Sequence, residues 1–244
     1  FALFANVDVR VGPDIGKTSS PLVAISALGA VVINDQGFAA DLDIDLGLNL
    51  SVIDLDVSAR LLINTTGVTQ TITLPETIIS RLRASALDLS TGALAKDLLG
   101  RLNGGNTYTI SGTKPIIVGS DGIPKTSTIN KLLNGGVLQA SEYAKSPSPY
   151  ITAVLSGSVT FAGFAKAQIS GGIGIDANSV ELFADLSFSI GTDGISLDFE
   201  AKGSISIDKD GIALNASVSL KADVTSMLSL KAAGSLVINT KGAV

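Results

Sequence analysis

The sequence contains no cysteine, no histidine and no tryptophan. Without cysteine the chain forms neither disulfides nor cysteine-based metal sites. The absence of cysteine does not determine the cellular compartment of the protein. Without histidine it lacks the commonest general base and the commonest metal ligand of proteins. Serine, lysine and aspartate are plentiful, but no spacing singles out a catalytic pair among them. The sequence therefore predicts a protein that is not an enzyme.

Long apolar runs and clusters of basic residues are also absent. No stretch approaches the roughly 18 consecutive apolar residues of a membrane-spanning helix, so we expect no transmembrane segment. The net charge of -5 and the lack of a basic patch argue against nucleic acid as a partner. The chain begins at Phe1 rather than methionine, from which we expect a processed end or an interior piece of a longer chain.

What the sequence does have is strict alternation of apolar and polar residues. Between residues 195 and 207 every second residue is apolar, and serine, aspartate, glutamate and lysine stand between them. A period of two is that of a half-buried β-strand. Asp210-Gly211 then predicts a tight primed turn, because Asp-Gly supplies positive φ angles. The alternation resumes over residues 212–222, so the segment predicts a β-hairpin with one apolar and one polar face.

The same pattern covers most of the chain and predicts a mainly β fold. We expect long antiparallel strands and hairpin ribbons in a repetitive β-sandwich or solenoid-like array, with a short helical insert. Helical spacing of leucines predicts that the helices are confined to residues 76–103 and 126–134. At residues 52–53 the alternation slips by one residue, which we interpret as a β-bulge or a sheet corner.

The change in character divides the chain into three parts. We interpret residues 1–75 as a β segment, residues 76–145 as a mixed insert with short helices, and residues 146–244 as a second β segment.

Three pairs of segments recur in the same order in the two β segments. Residues 3–12 match 182–191, residues 29–38 match 203–212, and residues 51–67 match 226–242. The last pair ends in Leu-x-Ile-Asn-Thr-x-Gly in both copies. Such colinear matches predict a repeat of roughly 175 residues whose copies have equivalent surroundings. We expect the chain to hold about one repeat and a third, open at both ends and able to stack on neighbours.

The repeated motifs also carry a resemblance. LLINTTG at 61–67, LVINTKG at 236–242 and the Asp-Gly-linked ribbons resemble the tandem-repeat regions of giant bacterial secreted or surface proteins, of the adhesin-like or filament-forming kind. The resemblance covers most of the chain except residues 76–145. It implies a location outside the cell or at the cell surface, and it assigns no functional residue.

Alternating aspartates suggest one candidate for metal binding. They form an acidic stripe: Asp41, Asp43, Asp45, Asp54 and Asp56. Alternate residues of a strand lie about 7 Å apart on one face, so neighbouring carboxylates could share a Ca²⁺ ion. The candidates are Asp43, Asp45, Asp208 and Asp210; the last two resemble the opening of a calcium loop but lack its twelfth-position glutamate. The alternative is that these charges keep the sheet soluble and prevent sheet-to-sheet association. No other cofactor is predicted.

Two further patterns have plainer explanations. Residues 12–18 resemble a phosphate-binding loop but have three residues between the glycines where that loop needs four. Asn64 and Asn215 each begin a glycosylation sequon, but turn and strand-end chemistry explains them better.

Two hypotheses for function come from different classes. The first is a structural repeat segment of a long extracellular fibre, sheath or adhesin stalk. It would self-assemble by β-strand pairing and repeat stacking, with another copy or repeat of the same chain as its partner. The alternative is a lipid-handling β-groove protein of the cell envelope, whose apolar strand faces carry acyl chains. An open groove would leave those faces with no partner surface, whereas in this chain the segment 76–145 could supply one.

Overall fold

The computed structural model describes residues 2–12, 22–50, 53–87, 93–102, 105–161, 165–192, 195–224 and 228–241. The strands are β1 Ala2–Val11, β2 Val23–Asn34, β3 Gly37–Asn49, β4 Ile53–Asn64, β5 Gln70–Thr73, β6 Thr107–Ile110, β7 Tyr150–Phe161, β8 Ala165–Asp176, β9 Ser179–Thr192, β10 Ile195–Asp208, β11 Gly211–Val224 and β12 Leu228–Asn239. The helices are α1 Glu76–Ala86, α2 Ala93–Arg101 and α3 Thr126–Leu133, and Ala140–Glu142 form one 3-10 turn.

Ten of these strands form one antiparallel sheet in the order β1-β2-β3-β4-β7-β8-β9-β10-β11-β12. Each strand pairs with the next one along the chain, and only the step from β4 to β7 is interrupted, by the insert that carries β5, β6 and the helices. The mainly β fold with long antiparallel ribbons and a short helical insert is thus confirmed. The ribbons lie side by side in this sheet, and β5 and β6 pair separately.

The chain reverses between Leu50 and Ile53, where the alternation slips, so the predicted bulge or corner is wrong. β3 and β4 pair antiparallel with Asn49 opposite Asp54. Leu50 and Ile53 exchange two backbone hydrogen bonds, of 2.8 and 3.3 Å. In so tight a hairpin, residue i faces residue i+3. The apolar positions therefore change from even to odd numbers while staying on the same face of the sheet.

The helices lie inside the two predicted ranges. α3 ends as the following glycines predict, since Gly135 has a φ of +67° and the Gly136 N–H donates to the Lys131 carbonyl at 2.7 Å. The sequence Ser90-Thr91-Gly92 predicts a break within the first helical range, and Gly104-Gly105 predicts its end. Residues 90–92 and Gly104 lie outside the described residues, and Gly105 has a φ of +96°.

The insert packs on the polar face of the sheet through two apolar clusters. The first joins Leu28, Ala30, Val32 and Ala39 of the sheet to Ile79, Leu82, Leu94, Leu98, Tyr108 and Ile110 of the insert. The second joins Leu62, Tyr150, Val154 and Phe183 of the sheet to Ile117, Val118, Ile129 and Leu132 of the insert. These sheet residues occupy positions of the polar face, so apolar residues replace polar ones where the insert covers that face.

The chain reversals at residues 34–37 and 208–211 are alike. The reversal predicted at Asp210-Gly211 is present, but its two central residues are Lys209 and Asp210, and Gly211 lies opposite Asp208 at the start of β11. Gly37 and Gly211 have φ angles of +139° and +133°, which other residues adopt only with strain. A Cβ atom at Gly37 would lie 2.6 Å from Thr65 Oγ1, and one at Gly211 would lie 2.5 Å from Thr240 Oγ1. Both the conformation and the close approach therefore require glycine.

These two threonines, one in each copy, make the same hydrogen bonds at the ends of equivalent strands. Thr65 Oγ1 accepts a hydrogen bond from Phe38 N at 2.8 Å and donates to Phe38 O at 3.0 Å. Thr240 Oγ1 has the same partners at Ile212, at 2.8 and 3.3 Å. The strands β1–β4 and β9–β12 thus follow one another in the same order and share these contacts.

Candidate functional site

The face of the sheet opposite the insert is apolar and bare. One row across all ten strands shows its composition: Val7, Ala27, Ile44, Ala59, Leu155, Gly171, Ala184, Gly203, Ala216 and Leu236. Many large side chains of this face are more than a third exposed, with Ile169 and Val218 at 49% and Leu236 at 54%. In the part of the chain that the structure describes, no element lies over it. We call this surface the apolar face.

The expectation that residues 76–145 could cover the apolar strand faces is wrong. The insert lies on the other side because its docking contacts are the buried charges described below, which strands carry on their polar side. Ten strands spaced about 4.8 Å apart, each about 40 Å long, give the apolar face an area of roughly 1,700 Å². Soluble monomers rarely expose an apolar patch larger than a few hundred Å². Among the described residues, the apolar face carries no charged side chain.

Under the insert, buried charges join it to the sheet. Arg60 of β4 donates from Nη2 and Nε to the two carboxylate oxygens of Asp41 at 2.7 and 2.9 Å. Arg101 of α2 binds Asp43 and lies 3.5 Å from Asp41, and Tyr108 of β6 donates its hydroxyl to Asp41. All five side chains are buried. We call them the docking network, because two of its members come from the insert and three from the sheet.

The docking network shifts the pKa values of its carboxyl groups in opposite directions. Burial alone would raise the pKa of Asp41, but the charge and hydrogen bonds of Arg60, then Arg101 and Tyr108, outweigh it and hold that pKa below its usual value. At Asp43 burial outweighs the two arginines and raises the pKa. Burial, and then the charge of Asp41, raise the pKa of Tyr108, so its hydroxyl remains a donor.

A second polar contact fixes the insert further along the sheet. Lys114 Nζ lies 2.7 Å from Glu181 and 3.4 Å from Asp176. The other oxygen of Glu181 accepts the backbone N–H groups of Ile117 and Val118 at 2.8 and 2.9 Å. Both carboxylate oxygens of Glu181 therefore have partners in the insert. We call this contact, which holds the insert on the sheet, the Glu181 contact.

The calcium candidates lie in two places. Asp43 belongs to the docking network, where guanidinium groups supply the positive charge. Asp45 is half-buried, and burial, opposed by a hydrogen bond from Ser58, raises its pKa. Among the described residues no three acidic side chains gather as ligands of one ion. Calcium binding there stays a prediction.

The other two candidates lie in the turn after β10. Asp208 binds the Lys241 ammonium at 3.0 Å and accepts the Asp210 N–H at 2.9 Å. Asp210 pairs with its neighbour Lys209 at 2.7 Å. Both carboxylates thus already have cationic partners from the chain.

The two patterns with plainer explanations are placed as follows. Asn64 is fully buried, and its amide donates to the carbonyls of Val68 and Ser111, each at 2.8 Å, as strand-end chemistry requires. Residues 13–18 of the glycine-containing loop lie outside the described residues.

The docking network was not recognised in the sequence, although the repeat contains a signal for it. Asp41, Asp43 and Arg60 correspond in the second copy to Asn215, Ser217 and Ser235. Charged residues that are present in only one copy indicate a contact that only this copy makes. In this chain that contact is with the insert.

No protein-family model, no curated protein and no solved structure matches the chain. No described helix has both the length and the apolar character needed to cross a membrane. Function therefore has to be inferred from the two faces of the sheet.

Proposed function

We propose that the chain binds the hydrocarbon chains of lipids on its apolar face. The observation that carries this proposal is that a wide, uncharged sheet face stays open while the insert docks on the other side. The lipid-handling alternative requires open apolar faces, and the insert, which could have supplied a partner surface for them, lies on the other side of the sheet.

The chemistry of the apolar face favours hydrocarbon over protein. Protein interfaces contain about one hydrogen bond per 100–200 Å² and are enriched in tyrosine, tryptophan and arginine. The described side chains of the apolar face offer no hydrogen-bonding group. Acyl chains need none, and each methylene that leaves water contributes about 0.8 kcal/mol.

Two glycines of the apolar face also favour an external ligand. Among the described residues, an added Cβ atom at Gly203 or Gly234 would meet nothing within 4 Å, and neither residue has a positive φ. Neither crowding by the described residues nor backbone conformation therefore requires glycine there. Glycine inside a strand is typical of places that a ligand or another backbone approaches closely.

The test uses two neighbouring residues of the central strand β8. Ile169 is exposed on the apolar face, and Gln168 is exposed on the polar face. Ile169→Asp places a carboxylate where an acyl chain would have to desolvate it. We expect it to weaken binding of phosphatidylcholine with a fluorescent acyl chain by about tenfold or more, or ~1.4 kcal/mol. Gln168→Asp is the matched control and should bind as the parent chain does.

Lipid extracted from the purified protein gives a second, independent measurement. Mass spectrometry of an organic extract should find acyl lipids in proportion to the protein, and fewer with Ile169→Asp. If the parent chain neither retains lipid nor binds the fluorescent probe, the proposal is wrong.

The second candidate is the segment of an extracellular fibre, sheath or adhesin stalk. The specific observation in its favour is that both repeat copies close their strands with the same threonine contacts, because repeats built alike can stack into an array. In this case the apolar faces of separate copies would pack on one another. Filaments in electron micrographs of the lipid-free protein would support this function, and a monomeric mass would contradict it.

A further inference from the structure

The outer edge of β12 has no partner strand in the part of the chain that the structure describes. The Thr240 N–H donates to Ile212 O, so even-numbered positions of β12 hydrogen-bond to β11. The odd-numbered positions therefore direct their N–H and C=O groups away from the sheet: Ser229, Lys231, Ala233, Ser235, Val237 and Asn239.

The first copy shows what occupies this edge. β4 corresponds to β12 in the repeat, and its outer edge pairs with β7 through twelve residue pairs, from Ile53 opposite Phe161 to Asn64 opposite Tyr150. In that pairing Leu61 lies opposite Ala153 and Ile63 opposite Ile151.

We propose that the outer edge of β12 is a docking site for a strand of the β7 type, in the register that β7 adopts on β4. Such a strand is an extended segment that alternates apolar with uncharged polar residues. The repeat fixes the register: Leu236 would face the residue equivalent to Ala153, and Ile238 the one equivalent to Ile151. The docked strand would widen the apolar face by one strand, and the proposal does not depend on what covers that face.

The charges of the two strands permit this pairing. β7 contains no charged residue, and Lys231 is the single charged residue of β12. No register position therefore brings like charges together. Natural edge strands are commonly shielded by charges, prolines or bulges. β12 has no proline, and its twelve residues pair with β11 without interruption.

The test is disulfide trapping between the full chain and a synthetic peptide of residues 149–161. Since the chain contains no cysteine, Leu236→Cys introduces the only thiol. Leu61 and Ala153 form a pair without mutual hydrogen bonds, whose Cα atoms are about 4.5 Å apart, within reach of a disulfide. We expect a peptide with Ala153→Cys to cross-link several-fold faster than one with Leu155→Cys, whose thiol would lie about 7 Å further along the same face.

Two controls distinguish this site from nonspecific association of the peptide with the sheet. Val9→Cys on β1, the other edge of the sheet, should cross-link to the same peptide several-fold more slowly. Hydrogen exchange of the unsubstituted chain should slow at the odd-numbered amides of β12 when the unsubstituted peptide is added, and a peptide with Leu155→Pro should have no such effect.

The outcomes bear on this proposal separately from the lipid proposal. Cross-linking that does not depend on the position of the peptide thiol, or equal trapping at β1, would overturn it. So would unchanged exchange at β12. All measurements are made without lipid, so a failure of lipid binding leaves the result intact.

Discussion

Removal of Arg60 is the sharpest test of how the insert is held. Arg60 is 6% exposed and is paired with Asp41 in the docking network. Arg60→Met would leave buried Asp41 with Arg101 and Tyr108 alone. Breaking a buried ion pair by removal of one partner typically costs about 3–5 kcal/mol. With an m value of about 2–3 kcal/mol/M, the midpoint of urea unfolding should fall by about 1–2.5 M.

Two variants serve as controls for this measurement. Arg83→Met removes an arginine whose pairing with Glu76, at 3.1 Å, is exposed, so it should change stability by less than about 0.5 kcal/mol. Asp41→Asn combined with Arg60→Met removes the pair without leaving a lone buried charge, and should recover part of the loss. Hydrogen exchange should locate the added opening in the insert. If Arg60→Met costs no more than Arg83→Met, the docking network does not hold the insert.

The remaining predictions concern pH, the Glu181 contact with Lys114 and the repeat. The stability that Asp41 contributes is present above the usual aspartate pKa of about 3.9 and is lost as pH falls through its lowered value. Asp43 has a raised pKa, so its protonation stabilises the fold: this contribution is present at low pH and is lost as pH rises through the raised value. The free energy of urea unfolding should therefore be highest in mildly acidic solution. Lys114→Met should destabilise the insert by about 3–5 kcal/mol, measured by thermal unfolding, because Glu181 stays buried. Thr65→Val and Thr240→Val should each cost about 1 kcal/mol, and clearly unequal losses would contradict the equivalence of the copies.

Most of the sheet could be predicted because its information is local. Alternation over ten to fourteen residues and a turn such as Asp210-Gly211 specify a hairpin without reference to the rest of the chain. The reversal between Leu50 and Ile53 shows the limit of this logic. The sequence between Leu50 and Ile53 lacks the Asn-Gly or Asp-Gly pair that is the strongest hairpin signal, and a tight hairpin and a bulge produce the same slip in the pattern.

The position of the insert could not be predicted, because it depends on contacts distant in the chain. Leu28 and Leu62 are apolar residues at positions of the polar face, but each by itself looks like a local irregularity. Asp41 and Arg60 look like solvated charges until the register places them side by side. Only the buried residues of the insert turn these separate irregularities into a docking surface.

The neighbour-to-neighbour order of the strands has a consequence for how the chain folds. Every pairing in the large sheet is local except that of β4 with β7, whose facing ends Asn64 and Tyr150 are separated in sequence by the whole insert. Local hairpins form quickly, whereas contacts between distant residues carry the entropic cost of closing a long loop. The strands within residues 2–64 and those within residues 150–239 should therefore pair first, as two separate sheets. Their joining along β4 and β7 is the slow step, and its rate should depend on how soon the insert becomes compact.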